Sequence, residues 1–389
     1  LSGKLMTHSG NAQPDRPVEA GHPPRPILAA EAPALLGMLT TAVFFAFGDR
    51  LLADLENHLL IVPLFLWLFG TMMWCAFGVV RHADAVAEKL GEPYGTLVLT
   101  FSVIVIEVAL LASIMLHGEN NPTLARDTMF ATLMIVLNGM VGTALVMGAL
   151  RYWEQDYNLA GARAFLVVIA ALSVFALVLP NYTETAPNPA DSSGKALLFT
   201  AITLLFYAVF VFIQTMRHRT FFAEPDGAPD PGRHPPRETR SLGFHVTLLV
   251  LTLLPVVLLS EFLAVIVDYG IEDLDLPDPL GGVLIAVLVL SPEGLTAFQA
   301  ALANHLQRAV NVCLGSALAT IGLTIPAVLT VGLLTGRNVQ LGLTEVETVL
   351  LLLTLFVSGL TFGGARTNLL QGLVHLLLFV VFVALIFRP

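Results

Sequence analysis

Thr96 to Leu116 reads TLVLTFSVIVIEVALLASIML, twenty-one residues in which a single ionisable group, Glu107, stands near the centre. At about 1.5 Å of rise per residue, such a run crosses the roughly 30 Å apolar core of a bilayer as one helix. A carboxylate at that depth costs roughly 2.5–3.5 kcal/mol on insertion scales, so it is paired, protonated or set to hold an ion. The same arrangement recurs. Glu92-Pro93-Tyr94-Gly95 precedes Glu107 and Asp278-Pro279-Leu280-Gly281 precedes Glu293, and in both the Pro lies 14 and the Gly 12 residues ahead of the Glu. The two carboxylates thus stand at matching depth in apolar segments 186 residues apart, the mark of an internal repeat.

Composition agrees with a chain that lives in lipid. Of 389 residues, 56% are hydrophobic and 12% charged, and the mean hydropathy is +0.80, which describes an all-α polytopic membrane protein rather than a soluble domain. The net charge of -10 is carried by loops and points to no nucleic-acid partner. Cys75 and Cys313 both fall inside apolar runs, where they read as packing residues and not as a disulfide framework. The chain opens on Leu1 rather than Met, so its first few residues are set aside from the fold argument, and no cleavable signal peptide is visible.

Apolar length and Pro, Gly and charge punctuation place eleven spans, at about 34–48, 59–80, 96–116, 128–150, 161–179, 196–216, 242–266, 281–303, 309–334, 346–362 and 368–387. Residues 1–33 are polar and proline-rich and are expected to be disordered. Residues 34–58 hold an extra first helix, 59–216 a first five-helix unit, 217–241 a linker loop and 242–389 a second five-helix unit. With the N-terminus on one face, that face collects fourteen Lys and Arg and the other five. The positive-inside rule makes the richer face cytoplasmic, with the N-terminus inside and the C-terminus outside. Five crossings per unit then turn the second unit upside down relative to the first, and two inverted units each bringing a carboxylate to the midplane describe an alternating-access transporter.

The neighbours of the glutamates suggest oxygen donors. The helix after each Glu opens on an arginine, Arg126 or Arg308, and carries polar or small residues at mid-depth. Asn138 and Ser316 are read as oxygen donors or hydrogen-bond partners of the glutamates. Gly139, Gly142, Gly315, Thr320 and Thr324 could supply ligands or merely let helices approach. At Ser291-Pro292-Glu293-Gly294 the proline removes a backbone donor, so the carbonyls of Leu288 and Val289 are expected to lose helical partners and face an ion. Glu107 has no such neighbour and shares its face with Thr100, Val103 and Leu111. Polar stripes at Thr200, Thr203, Tyr207 and Gln214, and at Asn368, Gln371 and His375, could line a path or hydrogen-bond between helices.

These strings resemble the calcium/cation antiporter superfamily, and within it the bacterial calcium/proton and sodium-potassium/proton antiporters of the Cha type. The resemblance is carried by HADAVAEKLGEPYGTL (82–97), SVIVIEV (102–108), LSPEG (290–294), QRAVNVCLGSALATIGLTIP (307–326) and ARTN (365–368). The chain departs from the superfamily in lacking Gly-Asn ahead of Glu107, and its linker interleaves acidic residues with five arginines. The resemblance implies exchange of Ca2+, Na+ or K+ for protons, with no cofactor, across a bacterial inner membrane. An empty, doubly ionised carboxylate pair is costly in apolar surroundings, so protons and a cation compete to neutralise it. Two other readings remain open: a cation channel without proton coupling, and an intramembrane enzyme, which would need acid–base partners that no motif supplies.

Overall fold

The computed structural model describes residues 31–90, 94–117, 122–182, 189–224 and 240–387. Among them eleven helical rods succeed one another: α1 Ala32–Leu51, α2 His58–Leu90, α3 Tyr94–His117, α4 Leu124–Tyr152, α5 Leu159–Tyr182, α6 Pro189–Phe212, α7 Leu242–Asp273, α8 Pro279–Leu302, α9 Leu306–Thr335, α10 Glu345–Thr361 and α11 Leu369–Phe387. Nine rods are long and apolar enough to cross a membrane by length and composition, with α3 contributing the shorter apolar run Thr100–Leu116 and α10 a rod of 17 residues. The chain is therefore a polytopic helical membrane protein. Large apolar side chains such as Leu59, Phe101, Val167 and Leu370 lie exposed on its perimeter, where a soluble fold would present polar groups.

Three local features depart from the sequence expectations. Helix α1 begins at Ala32, inside the stretch expected to be disordered, because Pro33 fits a first helical turn and Glu31 is buried against Arg81, His82 and Arg240. Residues 1–30, the Glu92-Pro93 pair and linker residues 225–239 lie outside the described residues. Helices α2 and α7 run for 33 and 32 residues, about 50 Å each, well past the spans 59–80 and 242–266, since the charged continuation HADAVAEKL keeps good helix formers after the apolar run stops. Helix α8 runs without a break through Pro292, where a disturbed turn was expected.

Two of the rods carry a π turn at mid-length, Ile135–Met140 in α4 and Thr320–Thr324 in α9. These are the helices that come after Glu107 and Glu293. Each π turn is contacted by the last helix of the opposite half of the chain: Phe379 of α11 lies against Gly139, and the Tyr207 ring of α6 lies where a Cβ on Gly322 would sit, 2.5 Å away. Polar ties at the rod ends sort into two faces. On one, Arg366 bonds Glu154 and Asp156 beside a two-stranded ribbon of β1 Glu154–Asp156 and β2 Arg366–Asn368, and Asn158 caps α5 while its own amide donates to Gln307. On the other, Arg126 donates to the Gly342 carbonyl and Arg337 to that of Leu116.

Candidate functional site

Glu107 and Glu293 line one cavity of about 510 Å3, and their charges lie close enough to interact. Glu107 reaches it from α3 and is 2% exposed; Glu293 reaches it from α8 and is half-buried. The hydroxyls that bond them come from α9. Ser316 donates to Glu293 Oε2, while Thr320 and Thr324 donate to Glu107 Oε2 at 3.1 and 3.0 Å. Positions 316, 320 and 324 repeat every four residues, and the π turn widens the helix there, so one face presents all three. Glu107 Oε1 is buried and has no hydrogen-bond partner among the described residues, an acceptor aimed at something other than protein.

The cavity runs from this pair past Thr100, Tyr207 and Gln214 to the exposed Arg219, Asp84 and Arg308. Its mouth is therefore on the arginine-rich face. Asp84 interacts electrostatically with both Arg308 and Glu293, so a third carboxylate stands between solvent and the buried pair. Beyond the rim, Glu224 approaches His305 at 3.6 Å. Burial pushes the Glu224 carboxyl up from its ordinary range, against the opposing pull of His305 and Arg308. A turn or two beyond the glutamates the helices close on one another, and Leu110, Ile114 and Leu288 are buried. Leu110 and Ile114 of α3 meet Leu284, Ile285 and Leu288 of α8 around a void of only about 10 Å3, room for a single water at most.

The other residues singled out from sequence are distributed unevenly. Thr100 and Thr320 line the cavity. Asn138, expected beside a glutamate, is turned away: its Nδ2 donates to Thr354 at 2.9 Å and its Oδ1 faces His375 Nδ1 at 3.2 Å. Ser291 returns its hydroxyl to the Val287 carbonyl at 2.5 Å, and the buried Pro292 and Gly294 serve packing, Gly294 against Met140. Of the polar stripes, Tyr207 and Gln214 line the cavity, Thr203 caps the Phe199 carbonyl, and Asn368 and Gln371 bond each other's backbone amides. Asp84 was not singled out from the sequence, and Thr324 was read there as either a ligand or a packing residue. Asp84 sits in a charged helix end that resembles any solvated terminus, and the reach of Thr324 across to the other half has no local signal. Cys75 and Cys313 are free and buried, as packing residues are.

The hydroxyl set has a measurable part to play. Thr320→Val with Thr324→Val strips Glu107 of both donors while keeping side-chain volume, and the half-saturating cation concentration is expected to rise about fivefold with the fold intact. Equilibrium cation binding to purified protein checks this, and an unchanged affinity counts against the arrangement.

A bundle of membrane-spanning helices with a carboxylate from each of two helices facing one cavity is the architecture of a membrane transport protein. The chain belongs to the sodium/calcium exchanger protein family, which matches residues 60–216 and 244–388. It is 42% identical over 327 residues to the putative ionic transporter y4hA of Sinorhizobium fredii, covering 83% of this chain and 88% of that one. It is 37% identical over 360 residues to the sodium-potassium/proton antiporter ChaA of Escherichia coli, covering 92% of this chain and 96% of that one. The solved structure of native YfkE shares the fold, with a TM-score of 0.71 at 16% identity over 91% of this chain and 99% of that one.

Proposed function

We propose that this protein is a secondary active cation/proton antiporter of a bacterial inner membrane. It exchanges Ca2+, and also Na+ or K+, for protons by alternating access. The observation that carries the reading is the shared cavity, in which a carboxylate from each half meets the other and one buried carboxylate oxygen lacks a protein donor among the described residues. Two apolar-sheltered carboxylates repel each other when both are ionised, so the site is stable only with protons or a cation on it. If only the neutralised forms reorient, movement of the cation one way is tied to movement of protons the other way.

The donor set suits a hard cation. Two carboxylates balance the charge of Ca2+, and Ser316, Thr320 and Thr324 add neutral oxygens to a shell that water completes at about 2.3–2.6 Å. Two inverted five-helix units, 59–216 and 242–389, are supported by three correspondences: the long pair α2 and α7, the glutamate pair α3 and α8, and the π-turned pair α4 and α9. With the arginine-rich face cytoplasmic, the cavity is open inward and the leucine-lined side is closed. That closure also speaks against a standing channel.

The test is a flux assay on protein reconstituted in vesicles, with a pH gradient imposed and Ca2+, Na+ and K+ offered separately. Cation movement driven by the gradient and abolished by a protonophore is the expected result. Cation flux indifferent to the gradient would instead mark a channel.

A further inference from the structure

The two π turns are out of step, and that offset has a functional reading that rests on the antiport mechanism above. Asn138 and Thr320 occupy matching positions, each twelve residues after the arginine that opens its helix, Arg126 or Arg308. Yet Thr320 points at Glu107 and Asn138 points away from Glu293. The π turn of α9 begins at that twelfth residue, whereas the π turn of α4 begins at Ile135, only nine residues after Arg126. A π turn inserts an extra residue into the helical register and so rotates the residues downstream of it by roughly a residue's worth of helix, about 100°. The offset therefore turns Asn138 out of the position that Thr320 holds.

What holds the α4 turn in place is visible. His375 of α11, fully buried, faces Asn138 Oδ1 through Nδ1 at 3.2 Å and Thr361 Oγ1 through Nε2 at 3.0 Å. Asn138 Oδ1 can only accept, so Nδ1 carries the proton and Nε2 accepts from the Thr361 hydroxyl. Asn138 Nδ2 in turn donates to Thr354 of α10. The same π turn packs on the glutamate helix, where Met140 lies 3.7 Å from the place a Cβ on Gly294, next to Glu293, would take. A shift of this turn is thus felt at the carboxylate.

We propose that His375 is a positioning residue of the transport cycle. It latches the α4 π turn in the state whose cavity opens on the arginine-rich face. Its release lets the turn move so that Asn138 takes up Glu293 while Thr320 gives up Glu107, exchanging the roles of the two halves as the opposite face opens. In a chain with Cys75→Ala and Cys313→Ala, single reporters Val211→Cys in the open cavity and Ile114→Cys in the closed path read the two states by thiol labelling. His375→Leu is expected to slow Val211→Cys labelling and speed Ile114→Cys labelling, each by about fivefold, as removal of a state-specific pair of hydrogen bonds shifts the population. His375→Gln, which keeps a donor and an acceptor, restores both rates toward the parent. Thr354→Val, which loosens Asn138 without touching the histidine, shifts them the same way to a smaller extent and serves if the leucine variant does not fold. Rates that stay unchanged, or that rise together, overturn the proposal. Opposite shifts in a protein showing no proton-driven flux would sink the antiport reading and leave the latch standing.

Discussion

Glu107→Gln and Glu293→Gln are each expected to abolish proton-driven cation flux while the protein still assembles in the membrane. The amide keeps the size and one oxygen of the carboxylate but can neither lose its charge to a proton nor balance that of a cation. Removing a charged ligand costs about 2–3 kcal/mol or more, so lost binding alone is expected to cut exchange by about thirtyfold at least. Folding is spared for the same reason: a neutral amide in a buried cavity avoids the desolvation that an ionised carboxylate suffers there. The measurement is vesicle flux beside thermal unfolding of the same preparations. Either variant exchanging at the parental rate would remove the carboxylate pair from the mechanism. The two need not be equal, since Glu107 holds two α9 hydroxyls and the unpartnered Oε1, whereas Glu293 holds one and stands nearer the cavity mouth.

Gly282→Ala is expected to do the opposite, taking away the fold and with it the transport. Helix α8 crosses α4 at this glycine, where an added Cβ would lie 2.7 Å from the Thr128 backbone nitrogen and 2.9 Å from its Cα. Backbone cannot swing aside, so the helices must separate, and overpacking of this kind costs about 1–3 kcal/mol or more. The neighbouring Gly281 is the control, because a Cβ there meets the Ile271 Cδ1 tip at 3.3 Å and the Leu124 Cδ1 tip at 3.8 Å, the ends of flexible chains. Gly281→Ala should therefore express and unfold like the parent while Gly282→Ala melts several degrees lower or is lost from the membrane. Equal melting temperatures would mean that α4 and α8 do not approach as closely as described.

The rods were legible in the sequence because lipid imposes a length: every apolar run bounded by Pro, Gly or charge corresponds to a helix, including α3 with its central Glu107. Equal spacing from Pro and Gly marked the two glutamates as a pair, and they line one cavity. Rotation about the helix axis was not legible. Asn138 and Ser316 look alike in sequence, polar groups at mid-depth in matching helices, yet one bonds His375 and the other Glu293. A π turn changes the facing of every residue beyond it and leaves no compositional trace. At Pro292 the missing amide cancels a single hydrogen bond, and α8 continues as helix across it.

The closed side has an electrical consequence. A wide, polar-lipped vestibule ends on the glutamates, and beyond them lies a short apolar stopper of Leu110, Ile114 and Leu288. Solvent in the vestibule conducts, so nearly the whole transmembrane voltage drops over the stopper, where moving one elementary charge is worth about 2.3 kcal/mol per 100 mV. On the antiport reading an ion arriving from the vestibule therefore binds almost free of the electric field, and a neutralised pair, which carries no net charge, exchanges its access between the faces with little work against the voltage.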